Sequence, residues 1–236
     1  MPTRRLSNVD RWLKRETPRV RKALESASRH FDSNDTLIVN TLEAVYGQES
    51  SFGTMLGTRG STNAVGHFHL KPETAARYGL SVSKDNDQRF DIERAASAAA
   101  RYLKDLHTVF SEKTRLLEGR VSIPVRSLSE RKKFVLAAYN GGEGRIAQAQ
   151  RLAEQHGKNS QLWRDVALFL EAAGAIGTKP KEIRDYVERV SAYELEFAQK
   201  SPAKKTLKQK KAKKEAPRCT EGHWRTIDDR PVFICD

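Results

Sequence analysis

Glu49 is the residue from which a reaction can be built. It closes an apolar helical stripe of Leu37, Ile38, Leu42, Val45 and Tyr46, and Ser50, Ser51, Phe52 and Gly53 follow it. A carboxyl held there against Tyr46 and Phe52 loses solvent. That loss disfavours the charged form, so the acid keeps its proton toward neutral pH. A protonated Glu is what a glycosidase uses to donate to a leaving sugar oxygen. The alternative for a Glu at a helix end is a solvated surface charge. Ser50 has no histidine placed for a recognisable triad, so it orients Glu49 or caps the helix rather than acting as a nucleophile.

The context of Glu49 decides between these readings. The stretch GQESSFG is followed by Ser61 and by Ala64-Val65-Gly66-His67-Phe68-His69-Leu70-Lys71-Pro72-Glu73-Thr74-Ala75. Together they resemble the first two motifs of the soluble lytic transglycosylase family. Ala137-Ala138-Tyr139-Asn140-Gly141-Gly142-Glu143-Gly144-Arg145-Ile146 is similar to that family's third motif, and Pro180-Lys181-Glu182-Ile183-Arg184-Asp185-Tyr186-Val187 to its fourth. The four stand in the family's order over roughly residues 35–195.

The resemblance implies a mainly α, lysozyme-like fold of the goose type with a groove for peptidoglycan glycan strands. It makes Glu49 the sole catalytic acid, where many glycosidases use two carboxylates. Glu49 would protonate the oxygen between N-acetylmuramic acid and N-acetylglucosamine. The acetamido oxygen of the muramic acid would stabilise the cationic centre, and Glu49 would then take the proton of the 6-hydroxyl as a 1,6-anhydro ring closes. A muramidase on the same fold, with water in place of that hydroxyl, is the nearest alternative. A non-catalytic wall-binding or assembly protein is a further one. No metal or organic cofactor is implied.

By the same resemblance Ser50, His69, Tyr139, Asn140 and Tyr186 are substrate-binding candidates. The Tyr139 hydroxyl would bond the acid or the sugar, or the ring would be a core aromatic. Tyr186 would line the cleft or serve packing, and Gly141 and Gly142 allow a close backbone turn. The chain departs from the family at two positions. His69 stands where glutamine is usual, and imidazole donates and accepts but can charge near pH 6–7. Asn63 stands where glycine is frequent, and asparagine tolerates the left-handed conformation.

The elements that must position these residues read as short helices around one core. Ser7 or Asn8 caps a first helix, and Pro18 starts a second as its first residue. The Glu49 helix follows, and residues 53–71 form a Gly-, Ser- and Thr-rich loop. Pro72 opens a short helix ending at Gly79, and a long one runs from Asp91 to about Phe110. Residues 112–128 connect to a helix capped by Ser129 that breaks at Gly141-Gly142. Helical chain resumes over 145–156, near 160–173 and over 181–199. The expected division is 1–34 basic N-terminal helices, 35–199 transglycosylase domain, 200–218 Lys-rich linker and 219–236 a β-hairpin turning at Asp228-Asp229.

Charge follows that division. The 236 residues carry a formal net charge of +13. Residues 1–30 hold +6, residues 200–218 hold +8, residues 219–236 hold −2, and the body between holds only +1. The net charge therefore says little about the reaction. The basic ends suit contact with a polyanion or a secretion or phage assembly partner, or, for 200–218, a solvated tether. Aromatics do not interleave with those lysines, which argues against a stacking surface for single-stranded nucleic acid. Cys219 and Cys235 flank the hairpin, and a disulfide, free thiols and a metal site using His223 all stay open for them. No apolar run approaches the roughly 18–20 residues that cross a bilayer, and no Sec-type leader is visible. The expected place is the periplasm or cell wall, reached by a route not visible in the sequence, with phage-encoded or secretion-system delivery as the alternative.

Overall fold

Capping side chains set where the first helices begin. In the computed structural model, which describes residues 6–33, 36–57 and 63–200 and the backbone of 222–227 and 230–235, Ser7 accepts from the amide of Asp10 while Asp10 accepts from the amide of Ser7. This reciprocal pair starts α1 (Asn8–Arg15) and satisfies two donors that a helix start otherwise leaves open. Thr17 caps α2 (Pro18–Ala27), with Pro18 in its first turn as expected. Seven more helices follow among the described residues: α3 (Val39–Ser50), α4 (Pro72–Arg77), α5 (Ile92–Ser111), α6 (Leu128–Gly141), α7 (Glu143–Gln155), α8 (Trp163–Val166) and α9 (Lys179–Lys200). The fold is mainly α, as expected.

Helix α5 is the axis of the core. Ala95, Ala96, Ala98, Ala99, Ala100, Leu103, Leu106 and Phe110 are all buried, so apolar residues surround it on most sides. A helix that is apolar nearly all round belongs inside. Its small side chains let neighbouring helices approach, and α2 and α6 pack along it. None of the helices, among the described residues, is long and apolar enough to cross a membrane.

The N-terminal helices fix the back of α3. Trp12 stacks on Phe52 and Phe197 at centroid separations of 6.3 and 6.1 Å, and meets the edge of Tyr193 at 4.9 Å. A Cβ on Gly47 would overlap the Trp12 ring, so glycine is what lets α1 seat against α3. Arg21 of α2 reaches Glu16 at 2.6 Å and the fully buried Glu43 of α3 at 2.7 Å. A buried carboxylate needs such a partner. Residues expected to precede the enzyme body thus share its core.

Several boundaries differ from expectation for local reasons. Ser127, not Ser129, caps α6, since its hydroxyl accepts from the amide of Glu130. Gly141 remains helical against Ile183, and only Gly142, at φ +87°, breaks the chain before α7. The stretch expected as one helix near 160–173 is α8 followed by a 3-10 turn, Ala167–Phe169. Ile38 is 44% exposed and lies outside the buried stripe of α3.

Contacts separate Met1–Ala198 from a second unit, Gln199–Asp236. In the latter, β1 (Gly222–Ile227) and β2 (Arg230–Cys235) pair antiparallel with Gly222 opposite Cys235. That is the register expected for a turn at Asp228-Asp229, which itself lies outside the described residues. So do residues 201–221, and with them the Lys-rich stretch and the question of a Cys219–Cys235 bridge.

Candidate active site

Helix α3 ends abruptly beside Glu49. Ser51, Phe52 and Gly53 take positive φ in succession, +48°, +61° and +82°. Left-handed backbone costs a non-glycine residue roughly 1–2 kcal/mol, and Phe52 is held there by burial against Trp12, Tyr46 and Phe197. Ser50 is fully buried, donating to the Tyr46 carbonyl at 3.2 Å and accepting from the Gly53 amide at 3.0 Å. With its hydroxyl used on both sides, it shapes the turn behind the acid. The expected substrate contact is not available to it.

The Glu49 carboxyl is nearly closed off, its side chain 14% exposed. Tyr186 of α9 donates its hydroxyl to Oε1 at 2.7 Å. His69 lies on the other side, Nδ1 at 3.5 Å from Oε2. Burial raises the Glu49 pKa to about 7, although the Tyr186 bond and the Lys179 charge pull it down; Glu182 adds to the rise. The desolvated acid foreseen from sequence is present, but Tyr186 and His69 are its polar neighbours. Tyr46 instead bonds Nδ1 of His67 at 3.0 Å.

The loop bearing His69 is clamped from below. Arg89 is 1% exposed. It makes a two-pronged pair with Asp87 at 2.9 and 2.7 Å and donates to the carbonyls of Asn63 at 2.7 Å and Leu70 at 3.0 Å. Its own carbonyl accepts from the His67 amide, and a Cβ on Gly66 would strike that carbonyl. A bridge between Val65 and Leu70 closes the loop. Asn63 takes the left-handed conformation, φ +50°, as its residue type allows, and His69 takes φ +44°. Ser61 lies outside the described residues.

Tyr139 and Asn140 arrive on α6. Tyr139 donates to the Phe68 carbonyl at 2.9 Å and stacks on Tyr186 at a centroid separation of 6.4 Å. Burial, then the nearby Glu49 charge, pushes its hydroxyl well above the ordinary range. It therefore supports the loop and the Tyr186 ring, while the direct bond to the acid belongs to Tyr186. Asn140 donates to Glu182 at 3.1 Å, and Lys179 donates to the same oxygen at 2.8 Å. Burial would raise the Glu182 carboxyl, but these two bonds outweigh it and hold it below the usual range. Asn140 Oδ1 is buried with no hydrogen-bond partner.

Lys179, Glu182, Arg89 and the Met55 carbonyl, 3.1 Å from His69 Nε2, are parts that sequence reading did not assign. Glu182 stood inside a quoted motif, whereas Arg89 carried no signal beyond its type. A hollow of about 290 Å³ between α2 and α5, lined by Arg19, Ala23 and Glu93 among others, shares no residue with this site.

Comparison with known proteins agrees with the geometry. The family model for the transglycosylase SLT domain matches residues 28–162. Membrane-bound lytic murein transglycosylase D of Escherichia coli (strain K12) is 28% identical over 130 residues, 55% of this chain and 22% of that protein. Membrane-bound lytic murein transglycosylase F of Shewanella loihica is 34% identical over 129 residues, covering 55% and 23%. The F protein of Maricaulis maris is 31% identical over 166 residues, covering 69% and 31%. The chain thus matches less than a third of the length of each of these relatives. The family match takes in the Glu49 turn, the clamped His69 loop and the Tyr139-Asn140 turn, and the chain belongs to the transglycosylase SLT domain family.

Proposed function

We propose that the protein cleaves peptidoglycan glycan strands as a lytic transglycosylase, with Glu49 as the acid that becomes the base. The observation that carries this reading is one carboxyl, nearly closed off from solvent, with a pKa raised to about 7 and one oxygen held by Tyr186. A general acid works best when its pKa lies near the working pH. Protonated Glu49 gives its proton to the oxygen between muramic acid and glucosamine. The muramic acid's acetamido oxygen supports the positive charge at C1, in place of a second protein carboxylate. Glu49, now ionised and still bonded to Tyr186, takes the proton of the 6-hydroxyl as that oxygen closes on C1. Asn140 acts through Glu182, which it and Lys179 hold as an ionised carboxylate beside the cleft. Membrane or wall attachment, and any contact made by the basic ends, would be separate properties.

The pH dependence of turnover tests the role of the acid. Turnover of purified peptidoglycan should fall as pH rises through about 7, where Glu49 loses its proton. In Tyr186→Phe the bond that stabilises the ionised form is gone, so the pKa rises further. The falling limb should move to higher pH while turnover drops, because base strength and positioning are also altered. An unmoved limb in Tyr186→Phe would count against Glu49 as the titrating acid.

A further inference from the structure

His69 stands where a neutral amide would serve for holding sugar, and its contacts give it a different task. Nε2 lies 3.1 Å from the Met55 carbonyl. A carbonyl only accepts, so Nε2 carries the ring proton and the neutral imidazole leaves a lone pair on Nδ1. That lone pair faces Oε2 of Glu49 at 3.5 Å. Oε1 is already an acceptor for the Tyr186 hydroxyl, which assigns the acid's proton to Oε2. The two assignments meet at one point: an O–H on Oε2 and an open acceptor on Nδ1. A separation of 3.5 Å is that of an open pair, and catalytic hydrogen bonds commonly tighten when substrate arrives.

We propose that His69 is a positioning residue for the acid: Nδ1 holds the transferable proton on Oε2, and protonation of His69 itself shuts the acid off at low pH. The inference rests on the reading of Glu49 as the general acid. The backbone makes the arrangement stiff. The His69 loop is fixed by Arg89 through the carbonyls of Asn63 and Leu70, and the Gly66 amide donates to the Leu56 carbonyl at 2.7 Å. The ring cannot swing away without leaving Met55.

A second proton on the pair enters at Nδ1. A donor then faces the acid's own O–H, which stays bonded to Oε2 but loses its acceptor and turns away, and a cation lies beside the sugar ring on which positive charge develops. Both effects slow the first step. The remaining groups facing Glu49 are Tyr186 and Tyr139, whose hydroxyls stay protonated, and the Lys179–Glu182 pair, whose charges oppose each other. Burial lowers the His69 pKa, with the Met55 bond acting against it, in the direction that favours the neutral ring. The two groups titrate as a pair, giving a bell with both limbs belonging to the couple.

Glutamine separates this role from sugar holding. Its amide N–H can serve Met55 and its oxygen can face Glu49, yet it takes up no proton. In His69→Gln, turnover at the optimum should fall several-fold while the low-pH limb disappears. The ratio of variant to wild-type turnover should then rise by about tenfold per pH unit below that limb. Normalised profiles of the same shape would overturn the proposal. Nitrogen-15 NMR of the His69 ring in the wild type gives a readout that needs no turnover. Expected is the Nε2–H form at neutral pH, with Nδ1 gaining a proton on acidification and doing so at a different pH in Glu49→Gln. The Nδ1–H form, or a His69 titration indifferent to Glu49→Gln, would overturn it equally. If the wild type degrades no peptidoglycan at any pH, the reading of Glu49 fails, and the ring spectrum still decides whether the pair exists.

Discussion

Glu49→Gln is expected to lower peptidoglycan turnover by about 10²–10⁴-fold, the usual worth of a positioned general acid. The glutamine fills the same space and can still accept from Tyr186, but it has no proton to give and cannot take one back. Its stability should change in the opposite direction. Burial lifts the Glu49 pKa from 4.5 to about 7. Between those values the folded acid keeps a proton that the unfolded chain has lost, so stability falls as pH rises through that window. Above pH 7 the full cost, about 3 kcal/mol, is present. The variant escapes it. At pH 8 Glu49→Gln should therefore unfold at higher denaturant than the wild type, with the difference shrinking toward pH 5. An inactive variant that is also less stable at pH 8 would point to a damaged fold rather than a missing acid.

Arg89→Met should have the largest effect on stability, a loss of about 3–5 kcal/mol, because a buried carboxylate loses the guanidinium that it pairs with. Asp87 would keep its carboxylate with its side chain only 7% exposed, and the carbonyls of Asn63 and Leu70 would lose their donor. Adding Asp87→Leu removes that buried carboxylate and should restore part of the stability measured by denaturant unfolding, but not the bond that Asp87 accepts from the residue-89 amide at 3.2 Å. It should not restore turnover, since the Asn63 and Leu70 carbonyls still lack the donor that sets the His69 loop beside Glu49. Recovery of both in the double variant would mean that the clamp serves folding alone.

How much of this was legible varies with the distance between partners. Ser7, Pro18 and Gly142 act on their own helices, and their positions follow from capping and backbone preference. Ser127 and Ser129 compete for one helix start, and nothing local distinguishes them. The desolvation of Glu49 was foreseeable from the apolar stripe, but its cause was not. Tyr46 and Phe52 are neighbours in sequence, yet the hydroxyl that reaches the acid comes from Tyr186, 137 residues away. Resemblance to a family brought Tyr139 and Tyr186 to the cleft without deciding which one bonds the acid. Packing decides it, because the Phe68 carbonyl takes the Tyr139 hydroxyl. Trp12 is the other case: its docking depends on the missing side chain of Gly47, a shape relation that no periodicity records.

The central claim is that Glu49, once it has given up its proton, regains one from the sugar's own 6-hydroxyl rather than from water. Weighing the muropeptides that the wild type releases from purified peptidoglycan tests this most directly. Chains ending in 1,6-anhydromuramic acid, lighter by one water than their reducing counterparts and missing from the Glu49→Gln digest, are the expected result. Reducing ends throughout would contradict the account and make the protein a hydrolase on the same fold.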